Sequence, residues 1–348
     1  MDQPTIPSRP KERAPSALIW LGLLVLYLVW GSTYLGIRVA VETIPPFSMA
    51  AARFVAAGLF LFGWSILREG RSFTWPARRE WRDMFVIGAL LLGGGMGLVA
   101  WGEQTVPSGI AALLIALMPV WVAIFGRVFF GERLPRLAIV GIAVGLVGVA
   151  ILVGGGSDPA DRLDPWGILA LLVSPICWSA GSLYSAHVVR PTGRPLVGTA
   201  MQMLSGAVIL SLFAVATGEP GRIDLGAISD RSLLALAYLT VVGSVVAFST
   251  YVWMLRVAPL PLIATYAYVN PVVAVILGGL ILGETLTPTK LVAGGVIVFA
   301  VALIITARGR MRTPEAAEID PATTRARRGA RAERGAPAGG TSALTPRR

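Results

Sequence analysis

The sequence predicts an all-α integral membrane protein of ten transmembrane helices, arranged as two inverted five-helix repeats. Three observations carry that expectation. Apolar residues make up 55% of the 348 and lie in long blocks. Arg and Lys are distributed unevenly between alternate connections. The second half of the chain repeats the first.

Mean hydropathy is +0.71. Charged residues are 14% of the chain, where a soluble domain has roughly a quarter. The net charge of +11 and pI near 10.7 would fit nucleic-acid binding. The charges, however, lie between the apolar blocks and in the C-terminal tail, as expected of loops facing anionic lipid. The lipid bilayer is therefore the expected partner, and no nucleic acid. Cys177 is the one cysteine, so no intramolecular disulfide forms. His187 is the one histidine, and no set of zinc ligands converges. No metal or cofactor is expected.

A helix needs about 20 apolar residues to cross the hydrocarbon core. Arg9, Lys11 and Arg13 precede the first block, 17–39. It is too long for a signal-peptide core and no cleavage site follows, so it reads as a retained span. The next blocks are 47–66, 83–101, 107–127 and 134–153, then 165–187, 196–217, 232–254, 259–281 and 288–307. Pro45-Pro46, Gly154-Gly155-Gly156, Pro191-Thr192-Gly193 and Glu219-Pro220-Gly221 mark connections. The blocks lack the alternation of barrel strands. The expected organisation is a tail over 1–16, repeats over 17–153 and 165–307, and a basic, disordered tail over 308–348.

With the N-terminus inside, the cytoplasmic segments before the tail hold fourteen Arg and Lys and the outer ones five. The positive-inside rule then places both termini in the cytoplasm.

Shifted by 152 residues, Trp101 meets Trp253, Pro107 meets Pro259, and Pro119 meets Pro271. Gly131-Glu132 meets Gly283-Glu284 without a gap. A weaker match sets Trp30 against Trp178. Five spans per unit is odd, so the second unit is inverted, an architecture common among secondary transporters.

Several motifs resemble an EamA domain. In the first half these are Trp30-Gly31-Ser32-Thr33-Tyr34, Pro45-Pro46, Ala52-Arg53-Phe54, Pro107 to Ala112, Pro119 and Gly131-Glu132-Arg133-Leu134. In the second they are Tyr266 to Val273 and Gly283-Glu284-Thr285-Leu286. Between its tails the chain is similar to the drug/metabolite transporter superfamily, most like its YedA-type bacterial exporters. The resemblance implies ten helices around a central cavity lined by both halves, and export from the cytoplasm. It carries no substrate, because the family moves amino acids, other metabolites, nucleotide sugars and drugs.

Candidate cavity residues are the aromatics Trp30, Tyr34, Trp101, Trp178, Tyr251, Trp253, Tyr266 and Tyr268, with Thr33, Ser182, Gln202 and Asn270 as polar groups. An interfacial belt or core packing is the other reading of the aromatics. Arg53, several residues inside the second span, is a candidate gate or anchor for a substrate carboxylate. A structural ion pair with Glu103 or Glu42 is the alternative. Pro119 and Pro271 are expected helix kinks, as hinges or as fixed bends. Glu132 and Glu284 are expected to cap the helices that follow them.

No nucleotide-binding loop, HExxH or GxSxG motif is present, so no enzyme is expected. The expected function is secondary transport of a small-molecule substrate, an amino-acid-like metabolite, out of the cell across the bacterial inner membrane, by a monomer or homodimer. Lipophilic drug efflux, and a receptor or scaffold without transport, are the rivals. No carboxylate lies mid-span, unlike in the related small multidrug pumps. That leaves facilitated export, or coupling through Glu103 or His187.

Overall fold

The computed structural model describes residues 15–131, 135–154, 164–189, 194–258, 260–263, 266–284 and 287–311. The 158–163 stretch, Glu132 and the tail beyond 311 lie outside them. The described residues contain helices and no strands.

The first half comprises α1 (Ser16–Ala40), α2 (Pro46–Glu69), α3 (Arg78–Gly88), α4 (Gly97–Gly102), α5 (Ser108–Ile115), α6 (Met118–Phe130) and α7 (Arg136–Gly154). The second comprises α8 (Pro165–His187), α9 (Pro195–Ala216), α10 (Asp230–Tyr238), α11 (Ala247–Val257), α12 (Leu260–Ile263), α13 (Tyr266–Leu282) and α14 (Pro288–Met311). A π-helical segment, Ala89–Met96, joins α3 to α4, and another, Leu239–Val246, joins α10 to α11. Among the described residues, seven stretches are long and apolar enough to cross a membrane: Ser16–Ala40, Pro46–Ser72, Arg78–Gly102, Ser108–Phe130, Pro165–His187, Pro195–Ala216 and Asp230–Tyr251. Arg136–Leu152, Val269–Leu282 and Pro288–Ile304 are shorter apolar helices.

Local chemistry sets the ends. Pro46, Pro165 and Pro195 open helices, where a fixed φ helps and a missing N–H costs nothing. Asp164 accepts from Gly167 N at 2.8 Å, and Ser229 caps α10 through Ser232 N. Gly131 and Gly283 follow α6 and α13 with φ of 65° and 66°, the left-handed turn that glycine adopts without strain.

The packing runs across the two halves: α2 lies on α9, α7 on α14, α1 on α13, and α8 on α5 and α6. Glycines allow the close approaches. A Cβ at Gly148 would stand 2.7 Å from Ile297, and one at Gly141 2.7 Å from Ile304. Large apolar side chains face outward, with Trp20 61% and Leu280 80% exposed, while Arg53, Glu103 and Asn270 are buried. In lipid that arrangement puts apolar surface against hydrocarbon and polar groups inside.

The two prolines lie differently in their spans. The 107–127 block breaks at Ala116–Leu117, in the turn just before Pro119 at the start of α6, where a missing N–H leaves Ile115 O without its helical partner. Pro271 lies inside α13, as does Pro175 inside α8. Glu284 also differs from the expected cap of its own following helix. It accepts from Ser108 N (2.7 Å), Ser108 Oγ (2.8 Å) and Gly109 N (3.2 Å), at the start of α5 in the other half.

Candidate binding cavity

The cavity begins with the two π segments. Their residues sit 150 positions apart, at equivalent places in the two halves. A π turn bonds i to i+5, widens the helix and marks functional regions more often than chance. Serines satisfy backbone carbonyls on both. Ser174 Oγ on α8 donates to Gly95 O at 2.8 Å, and Ser244 Oγ donates to Leu239 O at 3.1 Å within its own segment.

Between the halves lies a cavity of about 110 Å³. Its walls are apolar for the most part: Phe54 of α2, Leu92 and Met96 of the first π segment, Ile115 and Met118 at the α5–α6 break, and Phe248 of α11. Trp30 on α1 and Trp178 on α8 contribute one indole from each half. Trp30 is fixed by a cluster of rings, with centroids 4.9 Å from Tyr266, 5.2 Å from Tyr251 and 5.9 Å from Phe248.

The polar groups in the wall are few: Thr33, Tyr34, Arg53, Ser174, Tyr266 and Asn270. Thr33 Oγ1 donates back to Trp30 O at 2.7 Å. With its amide nitrogen facing them, Asn270 donates to Tyr266 O at 3.2 Å and Tyr27 O at 3.3 Å. That is a polar tie one residue before Pro271, where the helix lacks an N–H.

Arg53 is the one charged side chain in the lining, and it is 3% exposed. Its Nε donates to Ser244 Oγ at 2.8 Å. Ser244 is thus both acceptor for Arg53 and donor to Leu239 O, so the second π segment orients the guanidinium. A Cβ on Gly243 would stand 3.2 Å from Nη2, so the glycine leaves the space that the guanidinium fills. No carboxylate lies within ion-pair distance of Arg53 among the described residues. Glu42 instead stands 4.0 Å from Arg231. Glu103 is fully buried, and among the described residues neither of its carboxylate oxygens has a hydrogen-bond partner.

Of the expected cavity residues, the structure brings together Trp30, Thr33, Tyr34, Trp178, Tyr266 and Asn270. Others lie elsewhere. Tyr251 stands behind Trp30 and Tyr266. Trp253 packs on the Leu23, Leu26 and Met254 cluster. Trp101 packs on the Phe47, Phe54 and Leu210 cluster. Ser182 Oγ turns back to Trp178 O at 2.8 Å, and Gln202 Nε2 approaches Met84 Sδ at 3.4 Å. The side chain of Tyr268 lies outside the described residues. His187 stacks on Phe130 with centroids 4.0 Å apart. Sequence reading passed over Phe54, Met96, Ser174 and Phe248.

Residues 17–154 and 165–306 each match the EamA-like transporter family. The chain is 41% identical over 284 residues to an uncharacterized inner membrane transporter, YedA, of Escherichia coli (strain K12), covering 81% of this chain and 89% of that one. It is 26% identical over 301 residues to a probable amino-acid metabolite efflux pump of Salmonella typhimurium, covering 81% and 92%. A crystal structure of a protein 22% identical in sequence matches with a TM-score of 0.57, over 86% of this chain and 100% of that one, and shares the fold. Two family matches that fill the helical part of the chain, and a 41% identical relative aligned over most of its length, place this protein in the EamA-like transporter family.

Proposed function

We propose that the chain is a multi-pass inner-membrane secondary transporter that exports a small, carboxylate-bearing, amino-acid-like metabolite. It spans the membrane ten times, in inverted five-helix repeats over 17–153 and 165–307, with both termini cytoplasmic. The halves rock about the cavity between them, opening it to one side at a time. Transport across the inner membrane is supported by the family and by the nature of the similar proteins. The solute class rests on one observation: a buried guanidinium, anchored by Ser244 through Nε and without a carboxylate partner among the described residues, in an aromatic-walled cavity.

A buried cation without a counter-charge is costly. A carboxylate on the solute would supply that charge and engage the planar N–H fork. The indoles of Trp30 and Trp178 would cover the rest of a small organic body. Lipophilic drug efflux would leave Arg53 without a role.

The test is uptake of a radiolabelled mixture of protein amino acids into proteoliposomes. Arg53→Met should lower apparent affinity by about ten- to a hundredfold, the worth of hydrogen bonds to a charged group. Unchanged uptake in that variant would remove Arg53 from solute binding, and no amino-acid uptake by the wild type, with a neutral lipophilic dye transported, would favour the drug reading. Orientation is tested by single cysteines placed in the 158–164 and 71–79 loops. The first should react with an external reagent and the second should not.

A further inference from the structure

Glu103 follows directly on α4, one helical turn beyond Val99, which lines the cavity. It is 0% exposed, and both carboxylate oxygens are buried without a hydrogen-bond partner among the described residues. A carboxylate so placed cannot stay ionised, because nothing replaces the water it has lost; such a group neutralises instead. We propose that Glu103 is a proton-binding site of the transport cycle, occupied when the end of the bundle that holds it closes over a dry cavity. This deepens the transport reading above and rests on its orientation, which makes that end the outer one.

The surroundings give the site its direction. On α1, Tyr34 lines the cavity and is an electrostatic neighbour of Glu103. Arg38, one turn further, donates to the backbone carbonyls of Glu103 and Gln104, the latter at 2.6 Å. Its cation is therefore near but spent on main chain. From the turn after α13 comes Glu284, a second carboxylate held by three donors at the start of α5. Among the elements packed on α4, α2 brings Arg53, engaged by Ser244, and α8 brings Asp164, engaged by Thr105 and Gly167. Among the described residues, no cation thus offers Glu103 an ion pair. Burial pushes its carboxyl well above the usual carboxylate range; Glu284 adds to that shift and Arg38 opposes it.

The cycle follows from this placement. When the outer end opens, water reaches Glu103 and it equilibrates with the external pH. Closure over an ionised, unpartnered carboxylate is penalised, so closure selects the protonated form and carries one external proton inward. Opening to the other side hydrates the cavity next to Tyr34. The O–H bond of Glu103 then breaks, and the proton leaves to water on the cytoplasmic side. Solute outward and proton inward are thereby linked.

Two measurements test the proposal. Infrared spectra of the purified protein in detergent at pH 7 should show a protonated carboxyl stretch that Glu103→Gln removes. Identical spectra would overturn the site, whatever is transported. In proteoliposomes with an internal pH dye, an imposed inward proton gradient should drive the wild type, read with the radiolabelled amino-acid mixture. Glu103→Gln mimics the protonated side chain and should keep solute exchange while losing gradient-driven accumulation and proton influx. Glu103→Asp should restore both. Proton coupling retained in Glu103→Gln would overturn the role. If the infrared band behaves as expected but no amino acid moves, the solute class fails and the proton site stands.

Discussion

Among the described residues, Arg53 makes one hydrogen bond and lies 5.0 Å from the centroid of the Phe54 ring. Its Nε meets Ser244 Oγ at 2.8 Å, and that hydroxyl is committed to Leu239 O at 3.1 Å. The geometry therefore depends on a neutral residue from the other half of the chain. Ser244→Ala should leave a buried N–H of Arg53 unpartnered and remove the second bond to Leu239 O, at about 1–3 kcal/mol for the unmet group. The expected result is a lower unfolding temperature in detergent together with weaker solute binding. A variant with wild-type stability and wild-type affinity would show that Ser244 does not position the guanidinium. Arg53 itself was legible as an oddity, because a charge seven residues into an apolar block demands an explanation. Its partner was not legible. Opposite charge pointed to Glu103 or Glu42, whereas the structure supplies a serine 191 positions away. Long-range pairing inside a bundle follows helix rotation, and a single sequence does not encode that visibly.

At the scale of elements, the apolar blocks located the helices to within a few residues. α8 spans Pro165–His187, coinciding with the block, whereas α14 runs to Met311, four residues past the expected end. The interruptions inside the helices were not readable. A π segment leaves the hydropathy of a block unchanged, and Gly93, Gly94 and Gly95 read equally well as packing glycines. The structure gives them both properties at once. The widened turn brings Gly94 against α8, where an added Cβ would stand 2.9 Å from Cys177 Sγ, and Gly95 against the Trp178 ring at 3.0 Å. Gly94→Val should therefore overpack this contact and cost about 1–3 kcal/mol. Thermal unfolding followed by circular dichroism should show the loss, and an unchanged midpoint would mean that Gly94 does not face α8. The break between α5 and α6 is the readable case: Pro119 pointed to it, and the interruption falls at Ala116–Leu117, in the turn before the proline, where the ring meets the preceding carbonyls.

At the scale of the whole molecule, two carboxylates tie the halves together at one end of the bundle. Glu219 accepts from Phe47 N (3.1 Å), Ser48 N (2.7 Å) and Ser48 Oγ (2.8 Å) at the start of α2. Glu284 makes the same pattern of three bonds at the start of α5. Each carboxylate comes from the second half and each capped helix from the first. The favourable field of the helix N-terminus strengthens both ties. If the halves rock, opening this end has to break them, so they set part of the free-energy difference between closed and open states. Replacing a carboxylate by an amide keeps the shape but weakens charge-assisted bonds of about 1.5–3 kcal/mol each. Such a change shifts a two-state population by about one to two orders of magnitude, because every 1.4 kcal/mol is tenfold. Val106 is buried between Glu103 and α5, so a cysteine there reports on this end. In a Cys177→Ser background, Val106→Cys should react slowly with a charged maleimide. Adding Glu219→Gln and Glu284→Gln together should accelerate that reaction at least tenfold, and each alone should do so less. The same variants should leave a cysteine at the opposite end, at Val197 on α9, no more reactive than before. Equal acceleration at both ends would indicate general loosening, and it would remove the two caps from the closure of this end.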